Sequence, residues 1–238
     1  LQALALSKVE LDGYLKEHIF RRIFMIVATK STSDTHTYTY SGGEINFFSD
    51  DEAGLTVIID TERLHLQSVQ ATDRECDRYA ALFGDRDVVT KFYTGETRSR
   101  SEVEDSIKKI WARRWQEGNP YSGMAISERD GDRFIGHIGL DPTGEAGIAE
   151  LSYLFHTAVW GRGYGTEAAM VVVQQYAPLT AREGYTLDGK PLVSIKATAR
   201  LDNLASCRIL EKVGMDLVAV KEAHGALRRH YEIDVYRE

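Results

Sequence analysis

The residues best suited to chemistry lie between Glu150 and Ala177, in the stretch ELSYLFHTAVWGRGYGTEAAMVVVQQYA. At its centre is Gly161-Arg162-Gly163-Tyr164-Gly165. Glycines let a backbone turn sharply and leave amide N–H groups uncovered. At a helix N-terminus such donors, together with the helix dipole, favour an anion such as a phosphate. A purely structural turn is the alternative, because many tight glycine turns bind nothing. The flanks decide how the amides are presented. Glu150 to Phe155 reads as a strand with Leu151, Tyr153 and Phe155 on one face, and Thr166 to Ala177 is apolar over too many residues to be anything but a helix. A strand, a glycine turn and a buried helix in succession imply a phosphorylated ligand.

The chain is 238 residues long, enough for one large domain or a domain with an extension. Its formal net charge is −7, which argues against a general nucleic-acid binder and suits a cationic or amine-bearing partner. Cys76 and Cys207 have no CxxC or histidine-spaced partner, so neither a metal site nor a disulfide framework is implied. The apolar run Ile23 to Ala28 falls far short of the ~20 residues a membrane span needs. These features describe a cytoplasmic protein without membrane association.

From the N-terminus, Ser7 to Ala28 reads as a helix with Ser7 and Glu10 at capping-box spacing. Its broad apolar stripe should dock within the chain or make a homodimer. β-like pieces follow around His36–Tyr40, Ile45–Phe48 and Leu55–Ile59, so residues 1–54 form an extension of unassigned role ahead of a domain over 55–238. In that domain a strand carries Leu64 and Leu66. Two helices are opened by Thr72/Glu75 and Ser101/Glu104. A hairpin joins Ser122–Glu128 to Phe134–Leu140. After the central strand, turn and helix come a polar excursion from Thr180 to Pro191, a strand Leu192–Ala199, a helix Leu204–Val213 ended by Gly214, and strands Asp216–Lys221 and His230–Tyr236. Such an order gives an α/β (α+β) fold with a mixed sheet rather than a doubly wound parallel one.

Two motifs resemble the GNAT superfamily of acyl-CoA-dependent N-acyltransferases, and within it the ribosomal-protein N-terminal acetyltransferases. One is Ala149-Glu150-Leu151-Ser152-Tyr153-Leu154 followed by Trp160-Gly161-Arg162-Gly163-Tyr164-Gly165-Thr166-Glu167-Ala168. The other runs from Asn203 through Ser206, Glu211 and Lys212 to Gly214-Met215. The resemblance spans roughly Thr61 to Tyr236. It implies a mostly antiparallel central sheet flanked by helices, acetyl-CoA as acyl donor, and no metal. It further implies a pantetheine arm paired with the strand backbone at Phe155 and His156, a pyrophosphate held around Arg162, Gly163, Gly165 and Thr166, and an arm contact from Asn203. A plain helix N-cap is the other role open to Asn203. Trp160 stands where the wider superfamily most often carries Gln or Arg, so the resemblance assigns its side chain no phosphate contact, and the backbone argument stands.

In such enzymes an amine attacks the thioester directly, and coenzyme A leaves as a thiolate that must be reprotonated. Glu150 is the first candidate for the base and His137 the second, either acting through water. A structural ion pair is the alternative for Glu150, and a half-buried sheet residue the alternative for His137. Leu210 occupies the position where other branches place a proton-donating tyrosine, so the acid is Ser206, another group or solvent. The acceptor is a protein N-terminus or a small amine.

Two other classes compete. Gly163-Tyr164-Gly165-Thr166-Glu167-Ala168 also fits the dinucleotide fingerprint of an oxidoreductase, with Glu183 about 20 residues on, but no βαβαβ half surrounds it. A non-catalytic acyl-CoA sensor or interaction module is the stronger rival, and turnover separates it from an enzyme. Gly184 to Lys190 mimics a phosphate-binding P-loop, yet Pro191 replaces the Ser or Thr that would hold magnesium.

Overall fold

The computed structural model describes residues 27–30 and 35–236. Eleven strands form one sheet: β1 (Val27–Lys30), β2 (Thr35–Tyr40), β3 (Gly43–Asp50), β4 (Gly54–Asp60), β5 (Leu64–Ser68), β6 (Gly123–Glu128), β7 (Phe134–Pro142), β8 (Ile148–Phe155), β11 (Ser194–Arg200), β12 (Asp216–Ala223) and β13 (Ala226–Asp234). Their spatial order is β1-β2-β3-β4-β5-β6-β7-β8-β11-β13-β12. Every pairing is antiparallel except β8 with β11. That parallel pair is joined by a right-sized crossover, the helix over residues 164–182, here α4. With one parallel pair among the described strands, the doubly wound dinucleotide fold is ruled out.

Helices α1 (Asp73–Gly84), α2 (Arg86–Val89) and α3 (residues 100–116) lie between β5 and β6, and α5 (Leu204–Lys212) lies between β11 and β12. Thr72 caps α1 by accepting from Glu75 N at 3.2 Å, as the sequence implies. The cap of α3 is Ser99 rather than Ser101. Ser99 and Glu102 form the reciprocal box, two residues earlier than expected, because both pairs satisfy the spacing and only one stands at the turn from Arg98. Helix α4 also outruns its expected end. Pro178 has no N–H to give, and the ladder widens to a π turn over Val172–Tyr176 just ahead of it, so the helix continues to Arg182. The P-loop mimic is a hairpin of β9 (Thr186–Leu187) and β10 (Lys190–Pro191), with Asp188 and Gly189 both at positive φ.

The N-terminal strands extend the same sheet. Tyr38, Ile45 and Phe47 belong to the core that holds Leu64, Tyr176 and Ile195. Phe47 stacks on Tyr176 and Tyr185 with centroids 6.0 and 6.1 Å away. The boundary expected at residue 54 falls inside the β3–β4 hairpin. Of the helix expected over Ser7 to Ala28, residues 7–26 lie outside the described residues, while Val27 and Ala28 pair with β2 as strand.

Candidate acyl-transfer site

Strands β8 and β11 stay in register for three residues only, Ile148–Glu150 against Ser194–Lys196. Beyond Glu150 they splay apart. The gap opens into a cavity of about 1090 Å³, large enough for an extended ligand, lined by β8 from Glu150 to Phe155, the glycine turn, the start of α5, and the loop after α2.

Backbone parity decides which main-chain groups face this gap. His156 N donates to Ile135 O of β7 at 2.9 Å, so alternate residues from His156 backwards point to β7. The main-chain groups of Tyr153 and Phe155 therefore point the other way, into the gap. One of them is already used: Trp160 Nε1 donates to Phe155 O at 2.8 Å. The sequence-based pair of Phe155 and His156 is thus half corrected. Phe155 lines the cavity, whereas His156 turns its N–H into the sheet and its ring against Phe134.

The turn itself is held open. Gly161 and Gly163 have φ of 76° and 83°, a region that disfavours any side chain, and Gly163 is the residue from which α4 starts. At Gly165 a Cβ would meet Ile209 Cδ1 at 2.8 Å, so the absent side chain lets α4 approach α5. The first amides of α4 have no intrahelical acceptor. Glu167 anchors this end of the helix from behind, accepting from Thr61 Oγ1 at 2.6 Å, Arg63 N at 3.1 Å and Arg63 Nε at 2.7 Å. Arg63 in turn donates to Arg162 O at 3.0 Å. Gly163, Gly165 and Thr166 line the cavity. Arg162 does not; its guanidinium lies 3.9 Å from Glu128 on the outer side.

At the opposite end of the gap, Glu150 faces Asp141 across the β7–β8 ladder. Burial raises its carboxyl above the ordinary range, the Asp141 carboxylate raises it further, and Arg228 pulls it down. Asp141 is itself paired with Arg114. Ser206 Oγ lies 2.8 Å from the Tyr153 hydroxyl, and both line the cavity. Asn203 caps α5 through Oδ1, which accepts from Ser206 N at 3.2 Å, so the cap is real and its side-chain N–H groups remain for a ligand.

His137 is not brought to this site. It is 1% exposed, packed among Tyr79, Phe83 and Trp111, with Nδ1 2.9 Å from the Tyr79 hydroxyl. Burial pushes its pKa down to about 3. Alternation on β7 puts it on the helix-covered face, which its sequence neighbourhood alone does not reveal. Residues that the sequence did not single out do line the cavity: Tyr93, Lys91 and Arg228. Tyr93 and Arg228 come from a loop at positive φ and a distant strand, and no local motif marks either.

Among the described residues no cluster of His, Cys, Asp or Glu is arranged to hold a metal ion. No described helix is long and apolar enough to cross a membrane.

A family model described as "Acetyltransferase (GNAT) domain" matches residues 63–216. The uncharacterized protein YkkB of Bacillus subtilis (strain 168) is 26% identical over 157 residues, which is 65% of this chain and 83% of that protein. The crystal structure of a GNAT-family acetyltransferase from Bacillus anthracis aligns with a TM-score of 0.60 at 18% identity, over 76% of this chain and 99% of its own. The ribosomal L7/L12 alpha-N-protein acetyltransferase RimL, in complex with coenzyme A, aligns at 0.57 and 16% identity, over 74% and 97%. At these identities the two structures show a shared fold.

Proposed function

Because this chain belongs to the GNAT acetyltransferase family, we propose that it moves an acetyl group from acetyl-CoA to an amine by direct attack in a ternary complex. The observation that carries this reading is the splay of β8 from β11, which lays unpaired strand backbone between a carboxylate at one end and open helix amides at the other.

A pyrophosphate at Gly163, Gly165 and Thr166 would meet the α4 amides and the positive end of its dipole. A pantetheine arm would add as a short strand to Tyr153 and Phe155, and the Asn203 amide group would meet it from α5. The reacting thioester then lies on the Glu150 side. Glu150 takes a proton from the bound ammonium through water, and its burial makes it a stronger base than an ordinary carboxylate. The amine nitrogen forms a bond to the thioester carbon, and a cavity-facing β8 N–H steadies the oxygen as it gains charge. The C–S bond breaks, and the Tyr153–Ser206 hydroxyl pair returns a proton to the thiolate. RimL, by its name, acts on the α-amine of ribosomal L7/L12, and a protein N-terminus or a small amine is the acceptor class for this chain.

The direct test is release of free coenzyme A thiol from acetyl-CoA in the presence of an amine panel. Amine-dependent release supports enzymatic transfer. Tight acetyl-CoA binding without release from any amine would favour a sensor instead.

A further inference from the structure

Arg228 of β13 is 4% exposed, yet it lines the cavity. A guanidinium offers five N–H donors. Three are used: Nε to Thr198 Oγ1 at 2.9 Å, Nη2 to Thr198 O at 3.3 Å and Nη1 to Tyr93 O at 3.4 Å. All three acceptors are neutral. Among the described residues no carboxylate comes within 4.0 Å of Arg228, since Asp141 is taken by Arg114 and Asp202 by Arg200. Glu150 is close enough to feel its charge without touching it. A buried cation without a contacting anion is costly to maintain. An incoming anion would remove that cost, and the two spare donors are where it would bind.

The cavity's own charge also departs from that of the chain. Lys91, Arg208, Lys212 and Arg228 line it, against Asp87, Glu150 and Asp202. The chain as a whole is at −7. A polycationic acceptor would have to place positive charge beside Arg228, whereas a zwitterion would put its ammonium at Glu150 and its carboxylate at Arg228.

On the acetyl-transfer reading above, we propose that the acceptor is a free α-amino acid, whose carboxylate is bound by the buried guanidinium of Arg228 while Glu150 receives the adjacent ammonium. Arg228 is then a specificity residue, aimed by Thr198 and by the Tyr93 backbone. Transfer yields the N-acetyl amino acid and coenzyme A.

The test begins with calorimetric titration of acetyl-CoA into the protein before any amine is added. Thiol release is then measured for the twenty L-amino acids, each against its α-carboxamide, with spermidine as a cationic control. At least one amino acid should exceed its carboxamide in kcat/KM by about 30-fold or more, as expected when one partner of a buried charge pair is removed. Arg228→Gln should collapse that preference to within a few-fold by raising KM, with acetyl-CoA affinity unchanged. Thr198→Val keeps the charge but loosens its aim, and should erode the preference partially, which preserves the test if the Gln variant does not fold. With acetyl-CoA bound, equal or better use of the carboxamide, a sole preference for spermidine, or no turnover of any amino acid would overturn the proposal. Absence of acetyl-CoA binding would overturn the acetyl-transfer reading itself, and the calorimetry distinguishes that failure from the others.

Discussion

Glu150 and His137 show how environment separates two titratable residues that the sequence offers for one task. Glu150 meets the cavity with a raised pKa, so the acid limb of kcat/KM should lie above the ordinary carboxylate range, with activity lost as pH falls through it. Glu150→Gln should abolish that limb and lower kcat by about 10²–10⁴-fold, the usual contribution of a positioned base. Stability should move the opposite way. A carboxylate whose folded pKa is raised disfavours the folded state at pH above that value, and the penalty fades as pH falls below the unfolded value. The Gln variant should therefore melt higher than the parent at pH 8, with the gap closing towards pH 4. His137, held neutral at the Tyr79 hydroxyl, has a structural part. His137→Phe leaves that hydroxyl without its partner and should cost about 1–3 kcal/mol in denaturant unfolding, while kcat/KM stays within a few-fold. The glycine turn itself was legible in the sequence, because Gly161 and Gly163 adopt the positive φ that glycine announces. The misplacement of His156 has a different cause. Which way a strand residue points depends on its partner strand, and Ile135 is 21 positions away.

At the scale of elements, the site depends on how firmly α4 is anchored behind the glycine turn. Glu167 ties the first turn of α4 to Thr61 and Arg63 at the start of β5, and Arg63 fixes the carbonyl of Arg162. Glu167→Gln weakens both ties without touching the cavity, and should raise KM for acetyl-CoA about tenfold with a smaller change in kcat, because uniform binding is what it removes. Gly163→Ala forces a side chain into left-handed backbone at φ 83° and should cost roughly 1–2 kcal/mol in stability as well as acetyl-CoA affinity. The two motifs that resemble GNAT enzymes fell on β8–α4 and on α5, as expected, since each carries its own start and stop chemistry. The start of α3 was less legible, because Ser99/Glu102 and Ser101/Glu104 offer the same capping spacing two residues apart. The continuation of α4 through Pro178 was hidden for a physical reason too: a proline normally ends a helix, and the π turn that absorbs it has no sequence signature.

At the scale of the whole molecule, β5 to β8 and β11 fall within the family-matched residues 63–216, β13 and β12 extend the sheet beyond β11, and β1 to β4 continue it past β5. The sequence announced β2, β3 and β4 as β-like pieces between turn residues, whereas Val27 and Ala28 of β1 read as the end of a helix. Their membership in the main core was not announced, because it rests on Phe47 meeting Tyr176 and Tyr185 more than a hundred residues on. Phe47→Ala should cost about 3–5 kcal/mol of stability, the usual loss for a buried aromatic, and so lower Tm although it lies outside the family-matched region. At its centre β8 and β11 pair over three residues only, and on the proposed reading the β8 backbone beyond Glu150 is what acetyl-CoA meets. The most direct test of that arrangement is calorimetric titration of acetyl-CoA into the intact protein, with NAD as control and Gly163→Ala alongside. Saturable binding of acetyl-CoA, weakened in the variant and absent for NAD, is the result expected. No heat and no rise in Tm at millimolar acetyl-CoA would contradict it, and would leave the glycine turn a structural device.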